Sequence, residues 1–492
     1  MAKKEQVYHR SFQIQIKPGH KLYDYFVQNC MNAKNLYNAT NFHIRQIYSA
    51  YKSPRPLHAL QQEVLDHVDE FFPSMNEVQR KAHEKRLLKQ QEKMQKGESV
   101  KKPSTLNLFV KPNKEKSFVD YNFLDAYFKA SKNVDYKSLS AHTAQAMMKK
   151  AYDAWKSFFE ANKRYNTSEE NKEKFSGRPK IPGYKKQDMT TTYFSNQECV
   201  IKDGKYLKFP KTKTHLNIGK LGVLSDGQKL VEVRVNPYAA IFIVEVVFAY
   251  KEKNETPQDY IDGGNTLSID FGLNNFAACV FSEGQTPFII NGRGLKSVNF
   301  YYYKKRQHLV STLRIGKKDQ SGQHTSKRLQ RLDLKRRNKT RDFYHKASKE
   351  IIERCLQNDV KNIIVGKNVG WKKNASMGKS SNRDFCHVSH AMFVDILKYK
   401  AEQKGIFFAE VEESFTSKAS FIDKDFLPVH VPGEKNKHTF SGTRVKRGLY
   451  IAKNGTKLNA DVNAAYNIMR KLSSRNFEGV EACVTQPQKI GL

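Results

Sequence analysis

Three acidic positions in this chain could carry chemistry: Asp270, one of Glu412 and Glu413, and Asp461. Asp270 lies in the run Thr266-Leu267-Ser268-Ile269-Asp270-Phe271-Gly272, which reads as a buried strand closing in a tight turn at a glycine. Apolar residues resume at 276–281, so a second, antiparallel strand is expected there. A carboxylate inside a core strand is expensive unless something pairs with it, and a metal ion is the usual partner. Glu412 and Glu413 directly follow the strand pattern of 406–411, and Asp461 falls in the first turn of a helix that opens at Asn459. Converging carboxylates cannot neutralise one another, and hard Mg²⁺ prefers such oxygen ligands. Two such ions ~4 Å apart can activate a water and steady the leaving oxygen of a phosphodiester. Each feature also has a plainer reading. Asp461 serves equally well as a helix cap, and adjacent glutamates are commonly solvated surface charges.

Composition favours a polyanionic partner. The chain has 492 residues, with Lys+Arg 86 against Asp+Glu 49, a formal net charge of +37. That excess is too large for an ordinary solvated surface and points to nucleic acid, a membrane surface being the rival. No apolar run approaches the ~18 residues of a transmembrane helix, and no N-terminal signal pattern is present, so no membrane partner is expected. The 24 Tyr and 31 Phe suit base stacking, although most Phe are expected in the core. Cys30, Cys199, Cys279, Cys355, Cys386 and Cys483 lie far apart without a CxxC pair, which disfavours a disulfide framework and fits a reducing cytosol.

The elements that must position these acids can be read in order. Phe12, Ile14 and Ile16 alternate with polar residues, predicting a strand over 7–17. Leu22, Phe26, Cys30, Ala33 and Tyr37 then fall on one helical face. Residues 79–101 read as either a solvated helix or a basic arm, and a clearer helix spans 140–163. Prolines and glycines in 177–186 end the helical region. Short strand patterns follow at 193–209, 231–235 and 240–248, a spacing that suggests a small β-barrel completed by strand 7–17. Beyond a polar linker at 251–257, strands alternate with helices, which implies a mixed α/β layer fold. A helix is expected from about Thr340, with Phe343, Ala347, Ile351 and Cys355 on one face, and a buried strand at 361–366.

Two of these stretches resemble known motifs. Ser268-Ile269-Asp270-Phe271-Gly272-Leu273-Asn274-Asn275 and Asp461-Val462-Asn463-Ala464-Ala465-Tyr466-Asn467-Ile468 are similar to the first and last RuvC motifs of the TnpB family, transposon-encoded RNA-guided nucleases from which type V CRISPR effectors descend. Residues 34–38, 179–185, 344–346 and 413–418 also resemble family segments; the helical insert is covered poorly. The resemblance implies an α/β protein with helical and small β domains, in which an RNase H-like RuvC domain follows a wedge β-barrel interrupted by a helical recognition lobe. The implied boundaries are 1–19 for the first barrel strand, 20–186 for the lobe, 187–262 for the rest of the barrel and 263–492 for the nuclease domain. It further implies a guide RNA from the transposon end, a double-stranded DNA target cut beside a short flanking motif, two Mg²⁺ (or Mn²⁺) ions and no zinc. Guide pairing would supply most of the sequence information. A monomer in the cytoplasm of a prokaryote, associated with the nucleoid, is the expectation. Tyr302, Lys304, Arg306, Lys335, Arg336 and Arg337 are candidate nucleic-acid contacts, a core role for the tyrosines being equally open.

The chain departs from the family at two places. The middle glutamate that commonly follows the strand Ile363-Ile364-Val365 is replaced by Gly366-Lys367-Asn368. Some relatives carry it instead before a Thr-Ser pair, where Glu413 matches best and Glu412 is the fallback. Asp270, Glu413 and Asp461 are therefore the expected catalytic and metal-holding residues. The second departure is a zinc-ribbon-like insert at 417–457 whose cysteine positions match Ser420, Asp423, Ile451 and Asn454, so no Cys₄ site can form and packing alone is expected to hold it. The leading reading is an RNA-guided DNA endonuclease. The alternative is a nuclease-dead RNA-guided DNA-binding repressor, kept open by Gly366. A strand-transfer transposase and a plain RNA-binding protein explain less.

Overall fold

The alternation at the N-terminus produces strand β1 (Val7–Ile16) in the computed structural model, which describes residues 7–96, 105–219, 228–251, 264–317, 325–367, 388–429, 438–472 and 486–492. The chain divides into two compact units, Met1–Lys253 and Asn254–Leu492. In the first unit β1 leaves its sheet at once. Six helices follow among the described residues: α1 (Tyr23–Ala50), α2 (Ala59–Gln95), α3 (Tyr121–Ala130), α4 (Val134–Ser138), α5 (Ala141–Thr167) and α6 (Glu169–Glu173). The chain then returns through β2 (Thr192–Ser195), β3 (Val200–Lys202), β4 (Tyr206–Lys208), β5 (His215–Asn217), β6 (Lys229–Tyr238) and β7 (Ile241–Lys251). β1 pairs antiparallel with β7 from Val7↔Lys251 to Ile16↔Phe242, giving a sheet ordered β1-β7-β6-β2.

The described strands do not form one closed ladder. β3, β4 and β5 make a separate sheet facing the same core, in which Phe194, Val233, Val244 and Val246 meet Leu207 and Leu216. At three residues each, β3–β5 are too short to extend the longer ladder around a ring. Helix α1 serves two cores along one face: Phe26 and Cys30 pack on the strands, whereas Ala33, Leu36, Ile44 and Ile47 pack on the other helices. Trp155, fully buried in the helical core, donates its Nε1–H to Asn41 Oδ1 at 2.8 Å. The same α1 side ties down the Pro-Gly segment, because Pro182 O accepts from Arg45 Nη2 at 2.7 Å and Asn38 exchanges two bonds with the Lys185 backbone. The basic stretch after residue 79 is helical through Gln95, as the exposed continuation of α2; residues 97–101 lie outside the described residues.

The second unit is an α/β layer built on a six-stranded mixed sheet. Its strands are β8 (Asn265–Phe271), β9 (Asn275–Phe281), β10 (Phe288–Asn291), β11 (Val360–Gly366), β12 (Phe407–Val411) and β16 (Gln488–Ile490), ordered β12-β11-β8-β9-β10-β16. β8, β9 and β10 form an antiparallel meander, while β11 runs parallel to both β8 and β12. Among the described residues its helices are α7 (Arg293–Leu313), α8 (Lys327–Gln357), α9 (His390–Glu402) and α10 (Ala460–Arg470). Successive strand residues point to opposite faces. Leu267, Ile269, Cys279, Ile363 and Val365 join one core with α8 and α9, and Ala278, Val280 and Ile364 join another with α10. Burial of both faces explains why these strands read as continuous apolar runs.

Helix α8 starts thirteen residues earlier than its apolar stripe predicts, at Lys327 rather than Thr340. Ser326 caps it by accepting from Leu329 N, and its first half has few apolar anchors. The expectation that packing alone holds the insert needs correction. It carries the sheet β13 (Thr443–Lys446), β14 (Leu449–Ile451) and β15 (Lys457–Leu458), with Tyr450 buried and donating to Lys418 O at 2.8 Å. Carboxylates cross-link its loops: Asp425 accepts from Ser420 N at 2.8 Å and from Ser441 N at 3.1 Å, and Asp423 accepts from Lys453 N at 2.9 Å. Removing Asp425 leaves those amides without their acceptor. Asp425→Ala is therefore expected to destabilise the insert by about 1–3 kcal/mol. Hydrogen exchange at the Ser420 and Ser441 amides would read this loss, and unchanged protection would contradict it.

Candidate active site

Strand alternation decides where Asp270 points. Leu267, Ile269 and Phe271 enter the core on the α8/α9 face, so Asp270 belongs to the face covered by α10. The turn after it needs Gly272, because a Cβ there would lie 2.4 Å from Asn275 O. That turn also brings Asn275 into the site, where its Nδ2 donates to Asp461 Oδ2 at 2.7 Å.

Glu413 reaches the same end of the sheet from β12. Val365 pairs with Ile269, so Gly366 lies one step further along β11, beside Asp270. Gly366 also pairs with Val411, the last residue of β12, and Glu413 follows two residues later. The Glu413 side chain lies over the bare glycine: a Cβ on Gly366 would come 2.4 Å from Glu413 Oε2 and 2.7 Å from Ile468 Cδ1. Glu412 turns elsewhere. It accepts from Lys471 Nζ at 2.5 Å and from Ser414 N at 2.6 Å. Burial pushes the Glu412 carboxyl up, but these bonds outweigh it and hold the group below its ordinary value.

The third acid is not a cap. Asn459 is the N-cap of α10, accepting from the amides of Asp461 and Val462, which leaves the Asp461 carboxylate for other partners. One partner is Arg444 on β13, whose Nη2 donates to Asp461 Oδ1 at 3.1 Å.

The three acids are close enough to repel. Asp270 is half-buried as a residue, with its carboxyl set deep among protein atoms, and it is held well above the ordinary aspartate range by burial, then by Glu413 and Asp461. The mutual repulsion is felt at Asp270, the deeper group. Glu413 is pushed up to about 7 by burial and then by Glu412, against the pull of Lys471. Among the described residues, no three acids meet as a ready-made metal cage. Asn275 and Arg444 meanwhile occupy oxygens of Asp461. The donor chemistry nonetheless suits a hard divalent cation: the oxygens are all carboxylate, and burial and repulsion penalise their charge until a cation offsets it.

This has a consequence for stability. Between the ordinary glutamate value of 4.5 and about 7, the folded protein keeps a proton on Glu413 that the unfolded chain has released. Stability therefore falls as pH rises through that window, by at most roughly 3 kcal/mol. Without metal, Glu413→Gln is expected to flatten the fall in denaturation midpoint across this range. Parallel pH profiles for the two proteins would contradict the assignment.

Several positioning residues escaped the sequence reading. Asn463 and Asn467, both buried on α10, clamp the loop after Glu413. Asn467 Nδ2 donates to Thr416 O at 2.9 Å and to Ala419 O at 2.8 Å, while Asn463 donates to Ala419 O and accepts from Phe421 N. A pair of asparagines four apart in an alanine-rich helix was the available signal. Arg444 had none, standing in an exposed hairpin strand without a period.

The nucleic-acid candidates divide. Tyr302 is buried and donates to Asp333 Oδ1 at 2.5 Å, and Arg336 donates to Asn299 Oδ1 at 2.8 Å with its guanidinium 4.8 Å from the Tyr302 ring. These contacts fasten α7 to α8. Lys304, Arg306 and Lys335 are exposed, and Arg337 is half-buried.

Comparison with known proteins adds lineage to this geometry. A family model described as OrfB_IS605, probable transposase, matches residues 248–372, and one described as Cas12f1-like, TNB domain, matches residues 390–468. The TnpB-like protein ORF457 of Acidianus two-tailed virus is 25% identical over 373 residues, covering 68% of this chain and 74% of that protein. Among solved structures, a Cas12f1–sgRNA–target DNA complex is similar at TM-score 0.29 and 12% identity, over 94% of this chain and 99% of that one. A CRISPR-Cas12f ternary complex is similar at TM-score 0.32 and 13% identity, over 95% and 100%. Alicyclobacillus acidoterrestris C2c1 with single-guide RNA is similar at 0.29 and 9%, over 89% and 70%. Among the described residues, no helix is long and apolar enough to cross a membrane.

Proposed function

We propose, from the premise that the chain is a TnpB-family protein, that it is an RNA-guided endonuclease which hydrolyses double-stranded DNA beside a short flanking motif. The observation that supports this reading is the electrostatic coupling of Asp270 to Glu413 and Asp461, three acids brought from a strand, a loop and a helix to one end of one sheet. A sheet with a three-strand meander and two parallel strands added beside its first strand is also the arrangement expected of an RNase H-like RuvC domain.

On this reading Asp270, Glu413 and Asp461 hold two Mg²⁺ or Mn²⁺ ions. Bound there, the ions supply a nucleophilic hydroxide at neutral pH and neutralise charge on the scissile phosphate. The rest is the work of the chain's own groups. Asn275 orients the Asp461 carboxylate through a 2.7 Å bond. Lys471 keeps Glu412 out of the site, so that Glu413 is the acid presented. Arg444, which donates to Asp461 Oδ1 at 3.1 Å, would face a phosphate oxygen if a cation took that carboxylate. The basic surface that includes Lys304, Arg306 and Lys335 meets the nucleic-acid backbone, so binding should weaken steeply with salt through counterion release.

The test is metal removal on a guide-loaded protein. RNA that co-purifies with the chain would be sequenced, and a matching plasmid offered with a library of flanking sequences. Cleavage of matched plasmid in Mg²⁺, absent with chelator or with a mismatched target, is expected. Metal-independent binding to the matched plasmid without any cut would favour the repressor reading instead, whose motive is the glycine at 366 where a glutamate is common.

A further inference from the structure

The tight turn after Asp270 is gripped from the face opposite the acids. Phe271 and Phe276, at the two ends of that turn, enter the core shared with α8 and α9. Beside both rings lies His390, the first residue of α9. Its imidazole stacks 5.8 Å from each of them, at interplanar angles of 29° and 20°, and Tyr344 stacks on Phe276 at 5.7 Å. His390 is only 4% exposed. An imidazole set among phenyl rings is costly to bury unless it is hydrogen-bonded. Its Nε2 lies 3.2 Å from Gly272 O. A carbonyl oxygen only accepts, so that nitrogen carries the proton and donates.

Among the described residues this turn is pinned at three points. Gly272 N donates to Phe276 O at 3.2 Å, Gly292 N donates to Asn274 O at 2.8 Å, and His390 holds Gly272 O. The first two are backbone bonds of the meander and its exit; the third comes from a helix. Inside the pinned span is Asn275, whose Nδ2 reaches Asp461 Oδ2 at 2.7 Å. Asp270 stands two residues before the pinned carbonyl. Gly272 has the freest backbone in the turn, so an outside hold on its carbonyl removes freedom where the alignment of two acids is decided. His390 is itself held in place. Tyr344 Oη accepts from Ser389 N at 3.0 Å, and Ser389 caps α9 by accepting from Met392 N.

We propose that His390 is a positioning residue for the metal-holding acids: its Nε2–H fixes the Gly272 carbonyl, and through the turn it sets the reach of Asn275 to Asp461. It acts through the turn rather than on the reacting atoms. This deepens the proposed function and rests on it for what the aligned acids do. A histidine that merely filled space would be replaced equally well by any flat ring, whereas a donor would not.

Two substitutions separate the donor from the ring. His390→Phe keeps a flat ring and removes the donor; His390→Gln removes the ring and keeps an N–H donor of similar reach. Two readouts are taken on the full-length, guide-loaded protein. Hydrogen exchange in chelator follows the amides of Gly272 and Gly292, whose acceptors lie in the turn. Single-turnover cleavage of matched plasmid, at saturating DNA, follows rate against Mg²⁺ concentration. His390→Phe should exchange both amides faster, cut about tenfold more slowly and need more Mg²⁺ for half its maximal rate, with DNA affinity unchanged. His390→Gln should keep the protection and cut within about threefold of wild type. Tyr344→Phe, which takes the hydroxyl from Ser389 N, should act in the same direction as His390→Phe but more weakly, and decides the case if His390→Phe does not fold. Wild-type exchange and Mg²⁺ dependence in His390→Phe would overturn the proposal. Equal losses in His390→Phe and His390→Gln would do the same, because they mark the packing of the ring as what matters. So would a change in exchange without a change in cleavage, or the reverse, since the effect would then not run through the turn. The exchange arm needs no cleavage. A wild-type protein that never cuts, with exchange that still follows the donor, would sink the endonuclease reading and leave the hold on the turn standing.

Discussion

Glu413→Gln is expected to lower Mg²⁺-dependent cleavage by roughly 10³-fold, while Glu412→Gln leaves it within about threefold, since loss of several kcal/mol of charge stabilisation translates into that range. The two residues are adjacent and chemically identical, so the contrast isolates position. Glu413 is raised to about 7 by burial and by its neighbour, and its side chain lies over Gly366 beside the strand that ends in Asp270. Glu412 is bonded to Lys471 and to the Ser414 amide. The glutamine keeps Glu413's shape but cannot carry the charge that a divalent cation requires. Glu412→Gln loses part of an ion pair with a nearly buried lysine, which affects stability more than chemistry. Both rates would be measured on the same guide-loaded complex with DNA binding checked in parallel. Equal losses for the two variants, or a larger loss for Glu412→Gln, would show that the wrong carboxylate has been assigned.

Adding a single methyl group should do almost as much. Gly366→Ala puts a Cβ 2.4 Å from Glu413 Oε2, 3.2 Å from Glu413 Cβ and 2.7 Å from Ile468 Cδ1. Contacts that short force movement. Ile468 is fully buried on α10, and β11 is held between β8 and β12, so the loop end of Glu413 has the least resistance to displacement. A catalytic group misplaced by ~1 Å is expected to lose about 10²-fold in rate. Overpacking should also destabilise the unit by about 1–3 kcal/mol. The denaturation midpoint, measured beside the cleavage rate, separates the two effects. Near-normal cleavage by a folded Gly366→Ala protein would mean that Glu413 does not need the space the glycine leaves.

The same residues show how far the sequence reaches. The strand around Asp270 and its antiparallel partner were legible because alternation between two buried faces leaves an unbroken apolar run with one misplaced charge. The face of α1 was legible because both of its cores lie on one helical stripe. Helix α7 was missed because only Leu295, Asn299 and Tyr302 are buried along its twenty-one residues, too few to show a period. The early start of α8 was missed for the same reason. Choosing between Glu412 and Glu413 by spacing was impossible. The residue that draws Glu412 aside is Lys471, fifty-nine positions later, and local pattern carries no trace of it. Likewise Tyr302 and Arg336 look in sequence like any basic-aromatic patch, and their bonds to Asp333 and Asn299, which fasten α7 to α8, leave no local pattern.

The central claim is that Asp270, Glu413 and Asp461 jointly hold divalent cations against a phosphodiester. The most direct measurement is a structure of the guide-loaded protein on matched DNA with Mn²⁺, whose position is visible by anomalous scattering or strong density. The account predicts ion density at roughly 2.0–2.4 Å from oxygens of all three side chains, with Arg444 released from Asp461. An ion bound without Glu413, or no ion between Asp270 and Asp461 with DNA in place, would contradict it.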